Sequence, residues 1–290
     1  MKQIVLAVFA LLAIFINPSL AGACTSFAVY SNQTVYGMNF DYKPNSPQIF
    51  SISSEFQGKV FHLRPIGFGK VAGMNMKGLF AACLGLIPDQ KPPPTRSKHQ
   101  ISTWIFHQMA LSRFEQVSQV KDFLNKKQVV QAMGPSMHNL VADRFGNALV
   151  VESGNTDNRI TENSDPYMVM TNFPIYLLQG KSYEAAEGIG AERYKIAHRF
   201  IKANFRGFDI EKGMEVLKLA RNKSQTFTTR CSMVFDPLKK EIFICLEGNF
   251  DRIWKVSLEN QTIETFRGFA SFKREPLPSE GLLAADLAQW

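Results

Sequence analysis

Ala21-Gly22-Ala23-Cys24-Thr25-Ser26-Phe27-Ala28-Val29-Tyr30 joins two kinds of sequence within ten residues. Upstream lies the pattern of a secretory leader. Lys2 gives a short positive start, Ile4 to Ile16 is an apolar run, Pro18 breaks it, and Ala21 and Ala23 are the small residues a signal peptidase reads. Downstream, Thr25 to Tyr30 has the β-branched and aromatic content of a strand. Cleavage after Ala23 would therefore make Cys24 the first residue of a chain that enters a strand at once. A terminal cysteine carries a thiol and an α-amine on one backbone unit. That amine titrates at about 7.7–8.0, against about 10.4 for lysine, so near neutral pH it can take the thiol's proton without a histidine.

The apolar run is shorter than the ~20 residues a helix needs to span a bilayer. The expectation is residues 1–23 as a signal peptide, residues 24–290 as one domain, export to the periplasm or medium, and no stable membrane anchor. A lipoprotein is the rival, with Cys24 lipidated and its amine acylated. Such signals prefer leucine three residues before the cysteine, where this chain has Ala21, and a polar tether after it, where this chain has a strand.

The 267 residues after the leader suffice for one large core. Loss of Lys2 takes the formal charge from +8 to +7, spread along the chain with no long Lys/Arg block, so a nucleic-acid partner is not expected. Three cysteines remain beside Cys24. Cys83 sits in the apolar run Leu79 to Ile87 and reads as a small buried hydrophobe. Cys231 and Cys245 flank a hairpin turning at Asp236 to Lys240. Pairing Phe235 with Glu241 would set them opposite each other, so a cross-strand disulfide and two buried thiols both stay open.

Alternation and turn residues predict a hairpin of Cys24 to Tyr30 with Thr34 to Phe40, then strands at Ile49 to Ser54, Val60 to Leu63 and Gly78 to Leu86. Pro88 to Ser97 reads as a loop. Helical spacing follows at Gln100 to Arg113 and Glu115 to Lys127. Strands return at Met137 to Ala142, Ala148 to Glu152 and Tyr167 to Thr171, and helices at Gly190 to Asn204 and Asp209 to Arg221, with Asp209 as N-cap. Four strands close the chain, Thr228 to Phe235, Glu241 to Leu246, Arg252 to Ser257 and Thr262 to Phe266. Segregated blocks of this kind point to an α+β fold of antiparallel sheets covered by helices.

Cys24-Thr25-Ser26-Phe27, followed one hairpin later by Gly37-Met38-Asn39-Phe40-Asp41-Tyr42, resembles the N-terminal signature of the choloylglycine hydrolase and penicillin V acylase family and its acyltransferase and ceramidase-like relatives. Gly73-Met74-Asn75-Met76-Lys77-Gly78-Leu79 is similar to the family's G-x-N-x-K-G-L segment, and Thr171-Asn172-Phe173-Pro174 to its T-N-x-P segment. Thr229-Arg230-Cys231-Ser232 resembles, more weakly, a late strand with a catalytic arginine. The resemblance implies an N-terminal nucleophile hydrolase with a four-layer αββα sandwich, acting on the linear amide of a small N-acyl substrate through a thioester. It implies Cys24 as nucleophile, Asp41 holding the α-ammonium, Asn172 donating to the oxyanion, and Arg230 supporting Asp41 or the nucleophile. Acyl transfer on the same scaffold, a non-catalytic exported binding protein, and a homo-oligomer are also compatible with it. The chain departs from the pattern at Met38, where many relatives carry arginine, and at Gly85, where relatives place a polar residue near the oxyanion.

The remaining signals are negative. No Cys-x-x-Cys or His-x-x-x-His spacing occurs, so neither a metal nor a cofactor is expected. His62, His99, His107, His138 and His198 are scattered and read as surface or satisfied core side chains, which disfavours a papain-like Cys/His pair.

Overall fold

The computed structural model describes residues 24–90, 97–131 and 135–290. The expected signal peptide, residues 1–23, and residues 91–96 of the expected prolyl loop lie outside the described residues. In chain order the strands are β1 Thr25–Tyr30, β2 Thr34–Tyr42, β3 Gln48–Glu55, β4 Gly58–Pro65, β5 Ala72–Asn75, β6 Phe80–Gly85, β7 Gln100–Ser102, β8 Gln128–Val130, β9 Met137–Ala142, β10 Ala148–Ser153, β11 Asn158–Glu162, β12 Tyr167–Met170, β13 Thr228–Asp236, β14 Glu241–Leu246, β15 Ile253–Ser257, β16 Thr262–Arg267, β17 Arg274–Pro276 and β18 Leu282–Leu283. The helices are α1 Thr103–Arg113, α2 Val117–Leu124, α3 Ala191–Asn204, α4 Ile210–Leu219 and the single turn α5 Ala284–Leu287.

Two eight-stranded antiparallel sheets result. One runs β12-β1-β2-β13-β14-β15-β16-β17, the other β11-β10-β9-β6-β5-β4-β3-β18, with β7 and β8 as a small parallel pair. The strand that opens with Thr25 is thus interior, hydrogen-bonded to β2 on one side and β12 on the other. Period-two alternation gives each strand of this sheet two working faces. Tyr36 of β2 stacks on Phe80 at 5.2 Å, and Phe80 meets Phe235 at 4.8 Å, so these side chains fill the space between the sheets. Each such ring pair is worth about 0.5–1.5 kcal/mol beyond its buried area. Phe27, of opposite parity, packs edge-on against Phe208 on the helix side. Helix α4 covers the same face, where Asn39 Nδ2 donates to the carbonyl of Leu217. On the outer face of the second sheet, Phe106, Leu111 and Val120 of α1 and α2 pack with Leu79, Val141 and Val151. The order is helix, sheet, sheet, helix: the blocks give the antiparallel sheets covered by helices, and the family resemblance the four-layer α+β sandwich.

Helix ends follow their sequence signals. Asp209 caps α4 by accepting from Lys212 N at 2.9 Å, and Ser102 caps α1 by accepting from Ile105 N. Ser102 also moves the start of α1 past residue 100, leaving Gln100 to Ser102 as strand. Strands β5, β8, β11, β17 and β18 lie outside the expected strands. β5 is only four residues long and contains a glycine, and β11 is a partly exposed edge strand, so neither carries a strong apolar period.

One register differs from expectation with a chemical consequence. Asp236, not Phe235, pairs with Glu241, which sets Cys231 against Leu246 and Cys245 against Ser232. A one-residue slip sends side chains to opposite faces. The cross-strand bridge is therefore absent, and Cys24, Cys83, Cys231 and Cys245 are all unbridged and buried.

Candidate active site

Cys24 sits at the head of β1, where the β1–β2 hairpin returns Asp41 beside it. The Asp41 backbone N–H points at Cys24 Sγ at 3.5 Å, and Sγ lies 3.8 Å from the Asp41 carbonyl oxygen, its nearest acceptor. Alternation then separates the two side chains. Cys24 has the parity of Ser26 and Ala28, whose β2 partners Met38 and Tyr36 fill the space between the sheets. Asp41 has the parity of Asn39, on the helix side. There Thr229 of β13 donates its hydroxyl to Asp41 Oδ1 at 2.5 Å. Asp41 Oδ2 is buried and has no hydrogen-bond partner.

The cation that reaches this cluster is Arg193, in the first turn of α3. Its Nη1 donates to the Cys24 carbonyl at 2.6 Å and to Thr25 Oγ1 at 2.9 Å, and lies 3.8 Å from Asp41 Oδ2. Its Nη2 donates to Asn172 Oδ1 at 2.9 Å. Asn172 Nδ2 in turn donates to the Gly85 carbonyl at 2.8 Å, and the Asn172 carbonyl accepts from Ile87 N at 2.7 Å. One guanidinium fork therefore ties Cys24, Asp41 and Asn172 into a single group.

Arg230 is elsewhere. A register shift between Thr229 and Cys231 leaves it without a β2 partner, and its guanidinium binds Glu247 at 2.5 Å. The expectation that Arg230 supports Asp41 or the thiol is corrected to Arg193. The sequence held only an indirect pointer to Arg193, the cation in the first turn of the helix that follows the Asn172 segment. Met38 is fully buried between Ser26 and Met233, where an arginine would lack solvent. The chain brings its cation in from α3 instead.

Approach of α3 depends on Gly190. It lies at φ +89° as the N-terminal cap, its carbonyl accepts from Thr171 Oγ1 at 3.2 Å, and an added Cβ would stand 2.9 Å from Arg193 Nη2 and 3.0 Å from Thr171 Cβ. Only a residue without Cβ combines that backbone with that closeness.

Burial dominates the electrostatics of this group. Burial, and next the Asp41 charge, pushes the Cys24 thiol up to about 12, with the Asp41 backbone N–H and Arg193 opposing. Burial pushes Asp41 up to about 7, opposed by Arg193 and by the Thr229 hydrogen bond. Asp41 Oδ2 thus has a cation within 3.8 Å but no hydrogen-bond donor.

On the other side of the thiol a cleft opens between the sheets, lined by Phe40, Tyr42, Phe68, Cys83, Trp104 and Met137 among others. Its free space is about 30 Å³, room for about two waters. Among the described residues no cluster of three or more His, Cys, Asp or Glu side chains could hold a metal ion. No described helix is long and apolar enough to cross a membrane.

The profile of the linear amide C–N hydrolases, choloylglycine hydrolase family, matches residues 24–206, beginning at the proposed nucleophile. The chain belongs to this family. Its fold is similar to an arginine-to-leucine variant of conjugated bile acid hydrolase from Clostridium perfringens, at TM-score 0.68 and 16% identity over 88% of this chain and 98% of that one. It is also similar to penicillin V acylase from Agrobacterium tumefaciens, at TM-score 0.62 and 18% identity over 89% and 100% of the two chains. No curated protein sequence matches. Family membership makes the protein an enzyme, a hydrolase of linear amides.

Proposed function

We propose that the protein is an exported cysteine N-terminal nucleophile hydrolase that cleaves an N-acyl amide through a thioester. Leader removal converts the Cys24 peptide nitrogen, which is no base, into an amine. That amine takes the thiol proton. The thiolate attacks the amide carbonyl, and the oxyanion is held by the Asn172 side-chain amide together with a backbone N–H. The ammonium then protonates the departing amine, leaving a Cys24 thioester, and water cleaves the thioester by the same proton route. Asp41 holds the ammonium, and Arg193 fixes the Cys24 carbonyl and the Asn172 amide so that donor and nucleophile keep their spacing. The observation that carries this reading is Asp41 Oδ2, buried near Cys24 and without a hydrogen-bond donor although Arg193 lies 3.8 Å away, where a released α-ammonium would supply further charge and the missing donor. The aromatic and aliphatic walls of the cleft support an apolar acyl group on the substrate.

The leader pattern supports export, and the interior position of β1 argues against a lipid tether at Cys24, since the strand begins at the very next residue. The test is release of amine from a panel of N-acyl amides of graded acyl size. Cys24→Ala is expected to abolish turnover and Asn172→Ala to lower kcat at least tenfold with little change in KM. Unchanged turnover in Cys24→Ala would place the chemistry elsewhere.

A further inference from the structure

His138 and Glu152 form a fully buried pair that the mechanism above leaves without a task. They stand on neighbouring strands β9 and β10 of the second sheet, in the register that pairs Val151 with Asn139. His138 Nδ1 lies 3.1 Å from Glu152 Oε1, and His138 Nε2 lies 2.6 Å from the carbonyl oxygen of Thr171. Glu152 accepts twice more, from Ile175 N at 2.9 Å and from Tyr176 N at 3.0 Å. A carbonyl oxygen only accepts, so Nε2 carries a proton, and a second proton sits on the line between Nδ1 and Oε1. The pair is thereby satisfied on every side that the segment presents.

The place of these contacts gives them a purpose. Asn172 lies inside the stretch they grip, with the Thr171 carbonyl before it and the 175 and 176 amides after it. Arg193 and Gly190 hold the same stretch from α3, so Asn172 is fixed between a helix of one outer layer and two strands of the opposite sheet. Buried polar groups of this kind act as a unit in a low-dielectric setting, where each bond is strong and each loss is felt by the rest. A donor to an oxyanion must be held within a fraction of an ångström to be effective.

We propose that His138 and Glu152 are a positioning pair that sets the Asn172 amide for oxyanion stabilisation. This rests on the role given to Asn172 above. The test is a double-mutant cycle on purified mature enzyme with His138→Phe, Asn172→Ala and the combination, following kcat and KM separately. His138→Phe is expected to lower kcat by tenfold or more with KM within about twofold, and to add less than about twofold to the loss already caused by Asn172→Ala. His138→Gln, which keeps a donor where Nε2 stands, is expected to recover most of kcat. Should His138→Phe not fold, Glu152→Gln, which keeps the volume, runs the same cycle. Effects of His138 and Asn172 that multiply independently would overturn the pair's role while leaving Asn172 intact. An Asn172→Ala enzyme with undiminished kcat would instead remove the Asn172 assignment itself.

Discussion

In the mechanism proposed above, the Ala23-Cys24 peptide bond governs the chemistry of Cys24. While it is intact, the Cys24 nitrogen cannot accept a proton and burial pushes the thiol up to about 12, so no turnover is expected from the uncleaved chain at neutral pH. Asp41 carries the matching cost. Its folded-state value of about 7 lies above the ordinary 3.8. The folded chain therefore binds more protons than the unfolded one between those values. Stability from this group is full below about 4 and falls as the pH rises through 7, by on the order of 2–4 kcal/mol. For the uncleaved protein, thermal melts are expected to show lower stability at pH 8 than at pH 5, and Asp41→Asn to remove much of that slope. In a protein cleaved before Cys24, the proposed contact of the α-ammonium with Asp41 Oδ2 is expected to shrink the slope. Equal slopes in the uncleaved wild type and Asp41→Asn would mean that Asp41 is not ionising in a buried place.

The elements that carry the site differ in how plainly the sequence announces them. The β1–β2 hairpin is legible because alternation, a tight polar turn and a short loop all agree, and that hairpin alone sets Asp41 beside Cys24. Asn172 is legible through its Thr-Asn-x-Pro context. Arg193 is not, because a cation in the first turn of an amphipathic helix is usually solvated, and only the packing of α3 against β12 and β1 turns it inward. Arg230 misleads because Thr229-Arg230-Cys231-Ser232 resembles the family's late strand, whereas a register shift between Thr229 and Cys231 leaves its guanidinium on Glu247. Of the two states left open for Cys231 and Cys245, the structure has the buried thiols, because the register differs by one residue from the one a bridge would need. The joint between the Asn172 segment and α3 can be tested at Gly190. Gly190→Ala places a methyl against Arg193 and Thr171 at a positive φ, and is expected to cost about 1–3 kcal/mol in unfolding free energy and to lower kcat. Melting temperature and kcat both unchanged would show that α3 does not set the site.

The whole molecule explains why a nucleophile can be both buried and reachable. Two sheets share an aromatic core around Tyr36, Phe80 and Phe235, and the cleft opens at the end of that core where β1 begins. Helices on the outer faces hold the polar parts of the site, Arg193 and the cap at Gly190, away from the apolar cleft. On the mechanism proposed above, the acyl group would meet Cys24 from between the sheets, while Asp41 would hold the α-ammonium from the helix side. Cys83, in the same cleft wall, is fully buried and pushed higher still, so it does not compete as a nucleophile. The most direct test of this arrangement is intact-mass analysis of active protein mixed briefly with an N-acyl amide and quenched in acid. The expected result is a 267-residue chain beginning at Cys24, with a fraction heavier by one acyl group that is lost in Cys24→Ala. Active protein that retains residues 1–23, or whose Cys24 amine is blocked, would contradict the account.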